Sequence, residues 1–321
     1  MNTSKSVPKF LIPGVLLAFV GLVLLAGGNP IAVHFSNLSL PPFWGAALRF
    51  IVAALFYWGI VLVRGIRIPR GRALLGAILY GMLGFGLFYA AAYWVLQKVN
   101  PGVVSVFLAM APLMTLFFAL IHRQERFRPA SLIGALVALG GILLGLGGSI
   151  RGTAGSGAIP IGLILVLVLG VACQAYSSVV YKLFPRSEPP MVNALAMSTG
   201  ALLLVFFSLA TGETWALPQT PTTWAAFAYL TVLGSVVLFY LQLFVLNRWT
   251  ATATSYAFLL FPIVTVILSA WLTGEVVTLQ FAAGAAIVLV GVWIGVLAPA
   301  KPAPIPAQVP ALQTSEAGCQ D

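Results

Sequence analysis

Charge is what this chain has least of. Only 7% of its 321 residues are Asp, Glu, Lys or Arg, against about a quarter in a soluble protein, so the sequence cannot clothe a water-exposed surface. Acid is scarcest: six acidic residues stand against sixteen basic ones, and Glu125, Glu188, Glu213, Glu275, Glu316 and Asp321 all fall in loops or the tail. A buried carboxylate proton relay is thereby disfavoured, as is a multiply cationic solute. The two histidines, His34 and His122, are expected on opposite sides of the molecule, and no Ser/His/Asp set or carboxylate pair accompanies them, which argues against an enzyme. The two cysteines, Cys173 in an apolar run and Cys319 in the tail, form neither a bridge nor a CxxC motif. No metal or other cofactor is called for.

What the chain does have is apolar length. It is 61% hydrophobic with a mean hydropathy of +1.06. A bilayer core of roughly 30 Å needs about 20 apolar residues per helix, and ten such runs can be counted: Phe10–Gly28, Phe43–Val63, Ala73–Leu96, Gly102–Ile121, Ser131–Gly148, Ile159–Tyr181, Met191–Thr211, Thr223–Leu246, Ala251–Leu272 and Leu279–Leu297. They are apolar on every face, unlike the alternating strands of a membrane barrel. The expected fold is an all-α integral membrane protein of ten transmembrane helices.

The net charge of +10 would suit nucleic acid only if the basic residues clustered on a folded surface. They lie instead in loops. With the N-terminus in the cytoplasm, thirteen of the sixteen fall on the inner side and only Lys98 and Arg151 on the outer, so the positive-inside rule predicts an inner-membrane protein with both termini cytoplasmic. The bilayer and a small-molecule substrate are the expected partners; nucleic acid is not. Arg49 is the remaining basic residue, about two turns into its helix, where it is expected to snorkel to the headgroups or hold a structural hydrogen bond, with a functional role facing the cavity as the alternative for a charge inside the membrane.

The strongest pattern is a duplication. A constant shift of 150 positions lays Pro112 on Pro262, Thr115 on Thr265, Glu125 on Glu275, Gly134 on Gly284, Gly141 on Gly291 and Gly145 on Gly295. Further upstream Pro41-Pro42 matches Pro189-Pro190 at a shift of 148. This divides the chain into residues 1–152, residues 153–298 and a Pro/Ala-rich cytoplasmic tail at 299–321, with Gly152–Gly157 as the expected linker. Five helices per copy is an odd number, so the second copy enters the membrane from the opposite side: a 5+5 inverted-topology repeat, the architecture of many secondary transporters.

The doubled spacing from proline to glutamate to paired glycines resembles the EamA domain of the drug/metabolite transporter superfamily, which occurs twice in its ten-helix members. The resemblance covers about residues 10–298. It implies an inner-membrane carrier, of the kind that exports amino acids or other metabolites, with a central cavity lined by the first, third, fourth, sixth, eighth and ninth helices. Arg49 has Met197 as its counterpart, so a charge role there is not shared between the halves.

Tyr80 and Tyr89 lie deep in the third run and need hydrogen-bond partners. Gln174, Ser177 and Tyr181 form a polar stripe on the sixth, and Ser235 and Gln242 lie on the eighth. Such side chains either glue helices together or line a wet pathway. These seven are the candidate substrate-binding residues. Gly28, Pro30, Pro112 and Pro262 are candidate conformational hinges, because glycine and proline weaken the helical ladder; the first helix is expected to stop or kink at Gly28–Pro30. Hydroxyls, amides and aromatic rings suit a neutral or zwitterionic, partly apolar solute, which makes an amino-acid exporter the leading expectation. Exchange of organic anions or nucleotide sugars is the alternative, and a noncatalytic membrane scaffold is the reading from another class.

Overall fold

The computed structural model describes residues 13–98, 104, 107–154, 160–273 and 279–297. Among the described residues the chain forms ten main helical segments and no strand. They are α1 (Pro13–Ser36), α2 (Pro42–Arg64), α3 (Arg72–Leu96), α4 (Ala111–Ile121) and α5 (Pro129–Ala154), followed by α6 (Ile161–Leu183), α7 (Pro189–Ala210) and α8 (Pro221–Leu246). α9 (Ala257–Thr273) is entered through a short helical turn at Ala251–Ser255, and α10 (Leu279–Val292) continues as a π-helical turn at Trp293–Leu297. Seven of these are long and apolar enough to cross a membrane, while α4, α5 and α10 contribute shorter apolar stretches.

Local chemistry sets several of the starts. Proline occupies the first or second position of α2, α4, α7 and α8, where its missing N–H would have had no partner within the helix. Thr220 and Thr250 cap their helices by accepting from Thr223 N at 3.2 Å and Ala253 N at 3.1 Å, which satisfies first-turn donors. Other caps come from distant loops. The Glu213 carboxylate accepts from Phe43 N at 3.1 Å and Trp44 N at 2.8 Å at the start of α2. Glu125 accepts from Thr252 N at 3.1 Å at the start of the turn leading to α9. A carboxylate at a helix N-terminus meets both free donors and the positive end of the dipole.

Packing obeys the duplication. α2 packs on its counterpart α7, and α5 on its counterpart α10. The contacts of α1 with α8 and α9 are mirrored by those of α6 with α3 and α4. One buried apolar cluster runs through both halves, from Val15 to Val292. α3 and α8 each contain a π-helical stretch, Met82–Leu87 and Tyr229–Val237, and the shift of 150 places Gly84 on Gly234. The repeated glycines of α5 and α10 face one another. A Cβ added at Gly141 would lie 2.7 Å from the Gly284 carbonyl oxygen, and one at Gly291 would lie 2.6 Å from that of Gly134. Small residues let the two backbones meet where apolar area alone, in lipid, gives no drive to associate.

Two expectations are corrected here. α1 does not stop at Gly28–Pro30 but continues to Ser36 with Pro30 inside it. Carbonyls one turn before the proline take side-chain donors, Leu25 O from the Tyr229 hydroxyl at 2.8 Å and Gly27 O from the Thr265 hydroxyl at 2.7 Å. These bonds tie the helix to α8 and α9 on either side of Ala26, the residue whose carbonyl Pro30 leaves without its helical donor. α5 likewise runs on through Gly152 to Ala154, so the first residues of the expected linker are helical. The remainder of that linker, Glu275, and the tail at 299–321 lie outside the described residues.

Candidate functional site in the central cavity

Between the two halves lies a cavity walled by α1, α3, α6, α8 and α9, by Val104 and Leu108 ahead of α4, and by Arg49 of α2. About 120 Å³ of it is open to the centre of a water-sized sphere, many times the roughly 10–15 Å³ that a single water requires on that measure. Its apolar walls combine aliphatic side chains such as Leu22, Val33 and Leu108 with the rings of Phe88, Phe239, Phe258 and Phe261, and its polar groups include Asn29, Tyr89, Tyr93, Gln174 and Gln242. A mostly apolar hollow with a few placed polar groups is the usual form of a small-molecule site.

Of the two roles expected for Arg49, the structure shows the hydrogen-bonding one. It does not snorkel: its relative exposure is 0%. α2 turns Ala46, Arg49, Ala53 and Tyr57 inward at helical spacing, while Leu55 and Phe56 are exposed toward the surroundings. Once on the packed face, an arginine cannot reach the headgroups. Its Nε donates to the Ser235 hydroxyl at 3.1 Å, Nη1 to the Tyr93 hydroxyl at 3.1 Å and Nη2 to the Gly234 carbonyl at 3.2 Å. The guanidinium carbon also stands 4.7 Å from the Phe50 ring centre and 5.1 Å from that of Tyr89, close enough for the ring faces to stabilise the cation. All these partners are neutral. A small-residue stripe at i±4, with Gly45 and Ala53 flanking Arg49, is the signal in the sequence that marked this face as packed.

Of the candidate residues, Tyr89, Gln174 and Gln242 line the cavity. Ser235 stands behind it, accepting from Arg49 while giving its own proton to Leu230 O at 2.8 Å. Ser177 donates to Gln174 O at 2.7 Å and packs on Gly84. Tyr80 is buried between Phe85 and Tyr181, with ring centres 5.6 and 5.5 Å away, and Tyr181 donates to Asn247 Oδ1 at 2.9 Å. Tyr80, Ser177 and Tyr181 are therefore not part of the cavity wall. Tyr181 belongs to the end where α6 and α8 finish and α9 begins. That end is tied further by Lys182 Nζ to Trp249 O at 2.6 Å and by the Glu125 cap.

The four proline and glycine positions fare differently. Gly28 packs against the Tyr229 hydroxyl and Pro30 lines the cavity. Pro112 is at the start of α4, directly after a turn at Ala109–Met110, whereas Pro262 lies inside α9, whose break comes earlier, at Tyr256.

The sequence of the chain matches the EamA-like transporter family twice, over residues 12–146 and 161–297. The chain belongs to that family. As an EamA-like protein it is similar to the uncharacterized inner membrane transporter YedA of Escherichia coli (strain K12), with 29% identity over 90% of this chain and 94% of the relative. A probable terminal-alkyne amino-acid exporter of Streptantibioticus cattleyicolor is 28% identical over 72% of this chain and 75% of its own length. A protein crystal structure shares the fold with a TM-score of 0.75, at 21% identity, over 89% of this chain and 97% of the other. This EamA-like chain is a multi-pass membrane transporter and not an enzyme.

Proposed function

We propose that this transporter moves neutral amino acids with apolar or aromatic side chains out of the cell, by alternating access between two inverted repeats at residues 1–152 and 153–298. The observation that carries the reading is the composition of the cavity: phenyl rings from α3, α8 and α9 enclose the same space as the amides of Gln174 and Gln242. Rings take an apolar side chain, and amides hydrogen-bond polar ends without adding net charge. The S. cattleyicolor relative, named as a probable amino-acid exporter, supports the substrate class. The packing of each helix pair and its mirror supports the mechanism, because exchanging the roles of the repeats yields a second conformation of opposite access.

The membrane is expected to be the inner membrane, with both termini and the tail at 299–321 cytoplasmic. A reporter fused after Asp321 should be active only in a form that works in the cytoplasm; a periplasmic signal would overturn that orientation. The substrate is tested by uptake and efflux of a labelled amino-acid panel in proteoliposomes, with transport of apolar members expected.

Arg49 favours a second reading, exchange of organic anions, since a cation without an acidic partner among the described residues borders the cavity. Transport of anions alone, abolished by Arg49→Gln, would establish that reading over the first.

A further inference from the structure

Two unlike polar groups meet at Gly234. Its carbonyl accepts from Arg49 Nη2 at 3.2 Å, and its α-carbon faces the Asn29 amide oxygen so closely that any side chain at 234 would collide with it. A guanidinium and an amide acceptor thus share one residue of the π-helical stretch in α8. The guanidinium has five N–H donors; among the described residues its hydrogen bonds to Ser235, Tyr93 and Gly234 use three, and the Tyr89 hydroxyl stands close enough to engage a further one. Opposite needs are found in the wall of the same cavity. Asn29 Oδ1 and Gln174 Oε1 are buried and have no hydrogen-bond partner among the described residues, although both residues line the cavity. Native interiors leave few such acceptors unmet, and those that remain call for an explanation.

We propose that the cavity holds both ends of one α-amino acid. The carboxylate takes the Arg49 N–H groups on the side of Tyr89, the ammonium donates to the amide oxygens of Asn29 and Gln174, and the side chain lies toward Phe258 and Phe261. The inference rests on the amino-acid reading above and gives it an orientation. In an α-amino acid the two charged groups are attached to one carbon, which suits an Arg49 anion seat and an Asn29 acceptor that meet at Gly234, with Gln174 Oε1 coming from the side of Gly84. An organic anion would satisfy Arg49 alone and leave both amides unmet. The terminal amide torsions are broad, so each oxygen can turn into the cavity as a donor arrives. The seat exists once: Met197, fully buried, stands where the second repeat would carry the arginine, so one solute binds per cavity.

The test is competition against labelled phenylalanine on the full-length protein in proteoliposomes, using three compounds that each lack one group. Phenylalanine methyl ester and phenethylamine, which lack the carboxylate, should compete about ten- to a hundredfold more weakly than phenylalanine, the usual loss for a hydrogen bond to a charged group. 3-Phenylpropionate, which lacks the ammonium, should also be weaker. Asn29→Ala should weaken phenylalanine while leaving 3-phenylpropionate unchanged, which closes the gap between them. Equal competition by the methyl ester, or equal weakening of both ligands by Asn29→Ala, would overturn the two-seat assignment while leaving amino-acid transport standing. Failure to bind or move any amino acid would remove the functional reading and this inference together. The ligand series uses the unmodified protein, so it decides the matter even if Asn29→Ala does not fold.

Discussion

Arg49 Nε and the Ser235 hydroxyl lie 3.1 Å apart, joining α2 of the first repeat to the π-helical stretch of α8 in the second. Ser235 has no freedom to turn away, because its proton is committed to Leu230 O at 2.8 Å. Ser235→Ala should therefore leave one guanidinium N–H buried and unpaired, at a cost of about 1.5–3 kcal/mol for a hydrogen bond to a charged group. The expected result is a lower melting temperature in detergent than that of Ser198→Ala, whose hydroxyl accepts from the neutral Trp58 Nε1 at 3.1 Å. Equal melting temperatures would mean that the arginine finds another acceptor.

Two adjacent glycines of α5 should respond in opposite ways to alanine. A methyl at Gly140 meets nothing within 4 Å, whereas one at Gly141 comes 2.7 Å from the Gly284 carbonyl oxygen and 2.9 Å from Val288 N. Backbone atoms cannot step aside as a side chain can. Gly140→Ala should match the parent protein, and Gly141→Ala should cost about 1–3 kcal/mol, typical of overpacking. Folded yield on size-exclusion chromatography separates them.

Glu125 caps the start of the turn leading to α9 through Thr252 N at 3.1 Å, and it does so across the halves. Glu125→Gln keeps an acceptor but loses the charge that the helix dipole favours, so it should cost less than Glu125→Ala, which loses both. If this contact helps to close its end of the bundle, Glu125→Ala should raise the reactivity of a cysteine placed at Ser255, which is 5% exposed. Unchanged labelling of that cysteine would confine Glu125 to a capping role.

The two aligned prolines are expected to differ in effect. Pro262 stands inside α9, where Pro262→Ala restores a backbone donor and stiffens the helix, so transport should slow more than folded yield falls. Pro112 is at the start of α4, where a donor is not missed, and Pro112→Ala should change turnover less. Equal turnover in both variants and the parent would leave the prolines as packing features.

The order of apolar runs determined the helices, and the Pro, Glu and Gly marks at constant spacing determined the duplication, because both are local or periodic properties that a linear reading can count. Gly134, Gly141, Gly284 and Gly291 were legible as repeats, yet only the tertiary structure shows them facing each other across the pair α5 and α10. Tyr80, Ser177 and Tyr181 illustrate the limit. Polarity in an apolar helix says that a side chain needs a partner, not whether the partner is a neighbouring helix or a solute in the cavity. Arg49 shows it most clearly: its distance from the helix end allowed an escape to the headgroups, and only the rotation of α2 against α7 and α8 closed that route. Helix existence follows from the chain's own composition, whereas the direction in which each polar group points is set by rotations that ten packed helices fix together.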